Sequence, residues 1–330
     1  MKKFYVFILG LILIIILIIW LGPDNIIYAF LRVQWYFIVM AIATHIGIIF
    51  VRSIRWGFII NKRRSYIDNF IVKTIGLFAG NLSPMRSAGE ILNAVAGKKI
   101  NKIPFSQGLS AGLAERFFDL GIAGGLLIIS ALFVPVIRLI ALIGGLISIL
   151  LMVLIYLVNW REGIGVKLYD RIHRILERFP IAENTLDKMY NMITGTIIDI
   201  IGYSRSYSRK GDILIIFLLS LLSWLMECVR LYLVFAAFNV YTSFFVIVII
   251  FLLANFIGII SMLPGGMGSI EISLTTLFIL FDIPVYLAGS IALMDRLISF
   301  WMVNLLGLIF SAYYAKEILK DITSTLDIQS

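Results

Sequence analysis

The sequence predicts an all-α polytopic integral membrane protein, folded as one membrane domain over residues 1–330. Three observations carry that expectation. Hydrophobic residues make up 61% of the chain and charged residues 14%, where soluble domains average about 45–50% and about 25%. Mean hydropathy is +1.02, and 330 residues cannot hide that much apolar surface from water. The apolar residues fall into long uncharged runs, with lysine and arginine gathered between them. A disordered chain, a disulfide scaffold and a soluble enzyme are thereby excluded. Cys228 is the one cysteine and sits in an apolar run, and His45 and His173 lie far apart, so neither a disulfide framework nor a Cys- or His-based metal site is expected. The net charge of +9 fits basic cytoplasmic loops. No soluble module is there to carry nucleic-acid binding.

The first run, residues 4–21, follows Lys2 and Lys3 and holds eighteen uncharged residues. A signal peptide would have a shorter apolar core and a small-residue cleavage site. Here Gly22-Pro23-Asp24 follows, so the run reads as a retained span. The second run, about 33–60, carries Arg52 and Arg55 near its end and closes on Asn61-Lys62-Arg63-Arg64. Residues 70–82 form an apolar stretch too short to span, since about 20 are needed. It ends at Ser83-Pro84, and Lys98, Lys99 and Lys102 lie beyond. Runs at 106–134 and 136–158 are long enough, the first holding Glu115, Arg116 and Asp119.

Residues 160–210 differ in character. They hold nine Lys/Arg and six Asp/Glu, with apolar residues at helical spacing over 164–179 and again over 186–201. Two amphipathic helices at the membrane surface, or a small cytoplasmic helical hairpin, both suit that pattern. Further runs lie at 213–238 and 244–263, the latter ending in Pro264-Gly265-Gly266-Met267-Gly268. Residues 270–281 are again too short to span, and 285–313 are long enough, with Asp295 and Arg296 inside.

Loop lysines and arginines set the orientation. Both termini and segment 160–210 fall on the cytoplasmic side of the plasma membrane if 67–97 enters and leaves from the cytoplasm and 242–283 from outside. That gives about six full spans and two re-entrant broken-helix segments. About eight full spans is the alternative.

An internal repeat runs through this pattern. With Pro84 set on Pro264, an offset of 180, Glu115 falls on Asp295, Arg116 on Arg296 and Ala88 on Gly268. An acid follows each proline closely, Glu90 and Glu271. Half one covers about 33–158 and half two about 211–315, and the loop charges make the halves inverted. Inverted repeats built on broken helices recur in transporters. A break exposes backbone groups that lipid cannot satisfy, so it persists where it lines a polar cavity.

Ionisable residues at membrane depth cost about 2.5–3.5 kcal/mol each on insertion scales and need partners. Glu115 and Asp119 share a helix face, and Arg116 can reach Glu90 or Glu271. Glu227 and Arg230, three apart, read as a structural pair. Arg86, Glu90, Glu115, Arg116, Asp119, Glu271, Asp295 and Arg296, with Pro264, Gly265, Gly266 and Gly268 at the second break, are the candidate substrate-binding set. Arginines there suit phosphate through their planar fork. Gly108-x-x-x-Gly112 and Gly121-x-x-x-Gly125 read as helix-packing motifs, and His45 as a packed polar residue.

Pro84-x-x-x-Ala88-Gly89-Glu90, Glu115-Arg116-x-x-Asp119, Leu263-Pro264-Gly265-Gly266-x-Gly268-x-x-Glu271 and Asp295-Arg296 resemble the lysylphosphatidylglycerol synthetase transmembrane, or flippase-like domain, family. The resemblance covers about residues 5–315. Met85-Arg86-Ser87 and Asp295 depart from the family pattern. Members include the membrane part of bacterial multiple peptide resistance proteins, and some carry a dolichol-phosphate-glucose synthetase-like label. The resemblance implies a lipid flippase or scramblase for a phosphate-bearing lipid, phospholipid or polyprenyl-phosphate in type. A stand-alone chain ending at Ser330 lacks the soluble aminoacyltransferase domain, so lysyl transfer is not expected. With no GK[ST] phosphate loop, no nucleotide or other cofactor is expected, and movement is passive or gradient-driven. Two rival readings are an integral-membrane enzyme acting on a polyprenyl-phosphate sugar and an accessory partner of a glycosyltransferase. The expected partners are a lipid headgroup phosphate, a second copy of the chain, and a glycosyltransferase or lipid-synthesis protein.

Overall fold

The structure, a computed structural model, describes residues 2–84, 88–160, 170, 171, 174, 183–206 and 210–327. They form thirteen α-helices and no strand. These are α1 (Lys2–Leu21), α2 (Pro23–Leu31), α3 (Trp35–Ile59), α4 (Tyr66–Leu82), α5 (Ala88–Ala96), α6 (Phe105–Phe133), α7 (Arg138–Asn159), α8 (Glu183–Ser206), α9 (Lys210–Ala237), α10 (Phe244–Ile260), α11 (Ser269–Leu280), α12 (Val285–Arg296) and α13 (Met302–Asp327). Single π turns follow α5 (Gly97–Asn101) and α12 (Leu297–Trp301).

This is a multi-pass membrane protein. Five described helical stretches are long and apolar enough to cross a bilayer, Trp35–Ile59, Phe105–Phe133, Pro135–Leu157, Gly211–Ala237 and Val285–Tyr314. Phe7–Leu21 and Pro23–Leu31 make a sixth if counted as one, but the chain bends by 81° between them. The first apolar run therefore does not stop at Gly22; it turns there and continues as α2. Amphipathic helix 164–179 lies largely outside the described residues. Its expected companion is found as α8, which packs on α6, where Ser110 Oγ donates to the Ile200 carbonyl at 3.0 Å.

The short helices fold back in pairs. A Cβ on Gly76 would strike the Asn93 side chain at 1.8 Å, and one on Gly89 would lie 3.0 Å from the Gly76 carbonyl. Hence α4 and α5 form a tight antiparallel hairpin, broken at Ser83-Pro84. Gly258 similarly lies against Ile270 and Gly266, so α10 and α11 form a second hairpin, broken at Pro264. Composition explains why α10 is not a lipid-facing span. Eight consecutive residues, 247–254, are buried, so its middle is covered on all sides, while Phe244, Phe245, Ile257 and Ile260 at its ends are exposed. In contrast α7 turns Leu139, Ile140, Ile143, Leu146, Ile147 and Leu150 outward, a face only lipid would solvate.

One helix boundary recurs at the sequence offset. The long helix after each hairpin begins at Phe105 and at Val285, 180 residues apart, each capped by a proline, Pro104 and Pro284. The corresponding helices α3 and α9 lie side by side and run antiparallel. Gln34 N donates to the Ala237 carbonyl, Gly47 faces Met226, and Arg55 reaches Ser220. At the glycine motifs, Cβ atoms on Gly108 and Gly112 would meet Ala94 and Glu90, as close packing requires. In α6 the contact to α7 runs through Gly121 and Gly124, whereas Gly125 has open space beside it, so the expected Gly121/Gly125 pair is off by one residue.

Candidate functional site

Ion pairs of the same kind form beside each of the two hairpins. The arginine on the long helix reaches the acid on the returning arm of the hairpin: Arg116 donates to Glu90, and Arg296 Nε donates to Glu271 Oε1 at 3.0 Å. The acid one residue earlier is held by an arginine from the long helix before the hairpin. Arg55, on α3, donates to Glu115 (3.2 Å) and through a fork to both oxygens of Asp119 (2.6 and 3.2 Å). Arg230, on α9, forks onto both oxygens of Asp295 (3.0 and 3.2 Å) and also holds Glu227. The planar guanidinium suits this job because two parallel hydrogen bonds fix its orientation.

Around this frame each cluster completes its charge. In the first, Lys73 Nζ donates to Glu115 at 2.7 Å, and Trp224 Nε1 and Ser220 Oγ add bonds to Asp119 and Arg55. In the second, Arg52 holds Glu227 at 3.0 Å and His45 Nδ1 meets Arg230 at 3.0 Å. Arg55, Lys73 and Arg116 thus stand against Glu90, Glu115 and Asp119, while Arg52, Arg230 and Arg296 stand against Glu227, Asp295 and Glu271. Three cations face three carboxylates in each, the balance that burial in a low dielectric demands.

The clusters line two adjoining cavities. The first, about 170 Å³, is bounded by Arg52, Arg55, Lys73, Glu90, Glu115, Arg116 and Asp119, with Leu252, Phe256 and Ile259 as an apolar wall. The second, about 60 Å³, is lined by His45, Glu227, Arg230, Asp295 and Arg296 among others. Arg52, Leu77, Asn81 and Asn255 belong to both and form the partition. Asn81 is fixed by its amide, which donates to Asn304 at 2.9 Å.

Two arginines that line the larger cavity have donors without a partner. Arg116 uses Nε on Glu90, and among the described residues its Nη groups carry no hydrogen bond; its side chain is 38% exposed. Arg52 spends Nη2 on Glu227, while its buried Nε has no partner.

The sequence-derived set divides accordingly. Glu90, Glu115, Arg116 and Asp119 meet at the larger cavity, Asp295 and Arg296 at the smaller. Glu271 joins Arg296 through their pair, and Arg86 lies outside the described residues. Pro264, Gly265, Gly266 and Gly268 are buried and line neither polar cavity. Instead, Arg296 Nη2 donates to the Gly265 carbonyl at 3.0 Å, satisfying a backbone group that the broken helix leaves free. Gly265, at φ 57°, packs so closely on Phe300 and Asn81 that a Cβ there would clash at 2.4 Å and 2.9 Å.

Sequence reading missed Arg52, Arg55 and Lys73. The arginines lie near the end of an apolar run, which they interrupt. Their i, i+3 spacing matches that of Glu227 and Arg230 and was the available signal. Lys73 was visible as a lone cation inside an apolar stretch too short to span.

Comparison with known proteins places this architecture. The family model described as the lysylphosphatidylglycerol synthase TM region matches residues 7–307. A UPF0104 membrane protein of Methanothermobacter thermautotrophicus is 59% identical over the whole of this chain and 99% of its own length. A UPF0104 membrane protein of Pyrococcus horikoshii is 27% identical, covering 93% of this chain and 96% of its own. Another, of Methanocaldococcus jannaschii, is 24% identical over 96% of both. No solved structure matches.

Proposed function

The chain belongs to the lysylphosphatidylglycerol synthase transmembrane family, and from that premise we propose that it carries a phosphate-bearing lipid between leaflets, its headgroup passing through the larger polar cavity. The observation that carries this reading is the pair of arginines, Arg52 and Arg116, with donors to spare in a cavity otherwise closed by compensated charges. A guanidinium with free N–H groups at membrane depth suits a phosphate oxygen. A cavity of about 170 Å³ lies below the roughly 300–1,000 Å³ of sites that hold drug-sized ligands. It therefore suits a headgroup, with the chains left in the bilayer.

The same reading takes the two halves as inverted repeats. Antiparallel α3 and α9 and the hairpin offset of 180 support that relation. It places the termini and segment 160–210 in the cytoplasm, by the distribution of loop lysines and arginines. The sequence carries no GK[ST] phosphate loop, so transport on this reading is passive or coupled to a gradient, and the protein acts as a carrier and not as an enzyme.

The test is translocation of a fluorescent phospholipid and a fluorescent polyprenyl phosphate in vesicles, followed by quenching from outside. Arg116→Gln is expected to slow movement about tenfold or more, since a charge-assisted hydrogen bond is worth about 1.5–3 kcal/mol. Unchanged rates in both Arg116→Gln and Arg52→Gln overturn the cavity assignment.

A further inference from the structure

A third cavity, about 340 Å³, opens where α1 bends into α2. Its lining is almost wholly apolar: Ile14, Ile18, Ile26, Phe30, Leu293 and Trp301 are among its walls. The exceptions are Glu271 and Arg296, which also line it. Arg296 holds Glu271 Oε1 at 3.0 Å. The other carboxylate oxygen, Glu271 Oε2, is buried and has no hydrogen-bond partner, although the residue is only 1% exposed.

A buried carboxylate oxygen without a donor is costly, and native structures rarely leave one so. Here it belongs to a residue lining an apolar slot of about 340 Å³. A ligand that fits both must be a chain ending in a donor. The choice of donor follows from charge. Glu271 is already neutralised by Arg296, which an ammonium would meet as a like charge. Desolvating an ammonium in this apolar lining would cost far more than desolvating a hydroxyl.

We infer that this slot binds a long-chain alcohol, or a lipid with a free hydroxyl beside its chain, whose O–H donates to Glu271 Oε2 while the chain lies between α1, α2 and α12. The site is separate from the larger polar cavity, and its occupancy does not depend on lipid movement.

Trp301 reports on the slot because it forms part of its wall. The probes are a mid-chain brominated fatty alcohol and its methyl ether, which differ only in the donor. Each is titrated into vesicles holding the full-length protein, and quenching is compared with Trp301→Phe to isolate the one fluorophore. The alcohol is expected to quench Trp301 at about tenfold lower mole fraction than the ether, the worth of one hydrogen bond to a charged group. Glu271→Gln keeps an oxygen for Arg296 and turns the free position into an N–H donor, so it should erase or reverse that preference. Leu293→Phe narrows the slot without touching the ion pair and should weaken both probes. Equal quenching by the two probes in the unaltered protein overturns the inference and leaves a groove for ordinary bilayer chains. A preference that survives Glu271→Gln overturns it as well. No step of this assay involves translocation, so its failure is distinct from failure of the carrier reading.

Discussion

Removing the Arg230 charge should destabilise the protein mainly through one residue, Asp295. Arg230 is 1% exposed and Asp295 2%. The guanidinium forks onto both oxygens of Asp295 and also holds Glu227. In Arg230→Met the side chain remains long and apolar, but the charge is gone. Glu227 still has Arg52 at 3.0 Å. Among the described residues Asp295 pairs with no other cation, so it becomes an unpaired buried carboxylate. Breaking a buried pair from one side costs about 3–5 kcal/mol, so the single substitution is expected near the lower end, about 3 kcal/mol. Asp295→Asn in the same chain removes the stranded charge and should recover all but about 1 kcal/mol. The assay is reversible SDS unfolding of the purified protein in mixed micelles, over the four members of the double-mutant cycle. The expected coupling energy is at least about 2 kcal/mol, the difference between Arg230→Met and the double variant, and larger by whatever Asp295→Asn costs alone. An ordinary interhelical hydrogen bond in a membrane protein averages about 0.6 kcal/mol. A coupling at that level, or a double variant as unstable as Arg230→Met, would refute the argument that Asp295 depends on this arginine.

Four further outcomes follow from contacts between the helices. Lys73→Met should cost less than Arg230→Met, about 1–2 kcal/mol, because Glu115 keeps Arg55 at 3.2 Å; the same unfolding assay compares them. Gly124→Ala should lose about 1–3 kcal/mol, since its Cβ would lie 2.9 Å from the Gly145 carbonyl. Gly125→Ala, with nothing within 4 Å, should be neutral or gain up to about 1 kcal/mol by helix propensity. Gly268→Ala should cost at least about 2 kcal/mol, read as a fall in melting temperature, because φ is +80° and the Cβ would meet Leu13 at 2.6 Å and the Gly10 carbonyl at 3.0 Å.

Much of this architecture could be read from the sequence because lipid leaves few choices. A run of about 20 uncharged apolar residues must be helical, and the stretches at 70–82 and 270–281, too short to span, are where the hairpins occur. The 180-residue offset is legible because the prolines and the acid–arginine pairs keep that spacing in the sequence. The partner of each charge was not. Arg116 could reach either Glu90 or Glu271 by spacing, and only packing of α6 against α5 decides for Glu90. Glu227 and Arg230 read as a closed pair, yet Arg230 spends its fork on Asp295, 65 residues away. The glycines after Pro264 read as part of a binding loop, but close packing on Asn81 and Phe300 accounts for Gly265. Sequence spacing reports neighbours on one helix, and these contacts cross between helices.

Charge balance constrains how the carrier reading can work. Among the described residues each cluster sets three cations against three carboxylates, which leaves no excess charge to attract an anion from a distance. A phosphate entering the larger cavity is therefore held by exchange: it takes Nη donors of Arg116 and competes with Glu90 for the same guanidinium. Glu90 is the carboxylate that can tolerate this, because its side chain is 22% exposed while that of Glu115 is 6%. Exchange keeps the grip weak enough to release, which any pore or carrier needs if what enters is to leave. The Arg55–Asp119 fork and its counterpart at Arg230–Asp295 cannot take that part, since breaking either strands a carboxylate between α3, α6 and α9 or between α9 and α12. Within each half, then, one arginine fastens helices, while on the open side Arg116 retains donors that a ligand can use. Glu90→Gln separates these roles: it frees Arg116 without disturbing the fork, so it should tighten phosphate binding and slow release while leaving SDS unfolding within about 1 kcal/mol of the unaltered protein.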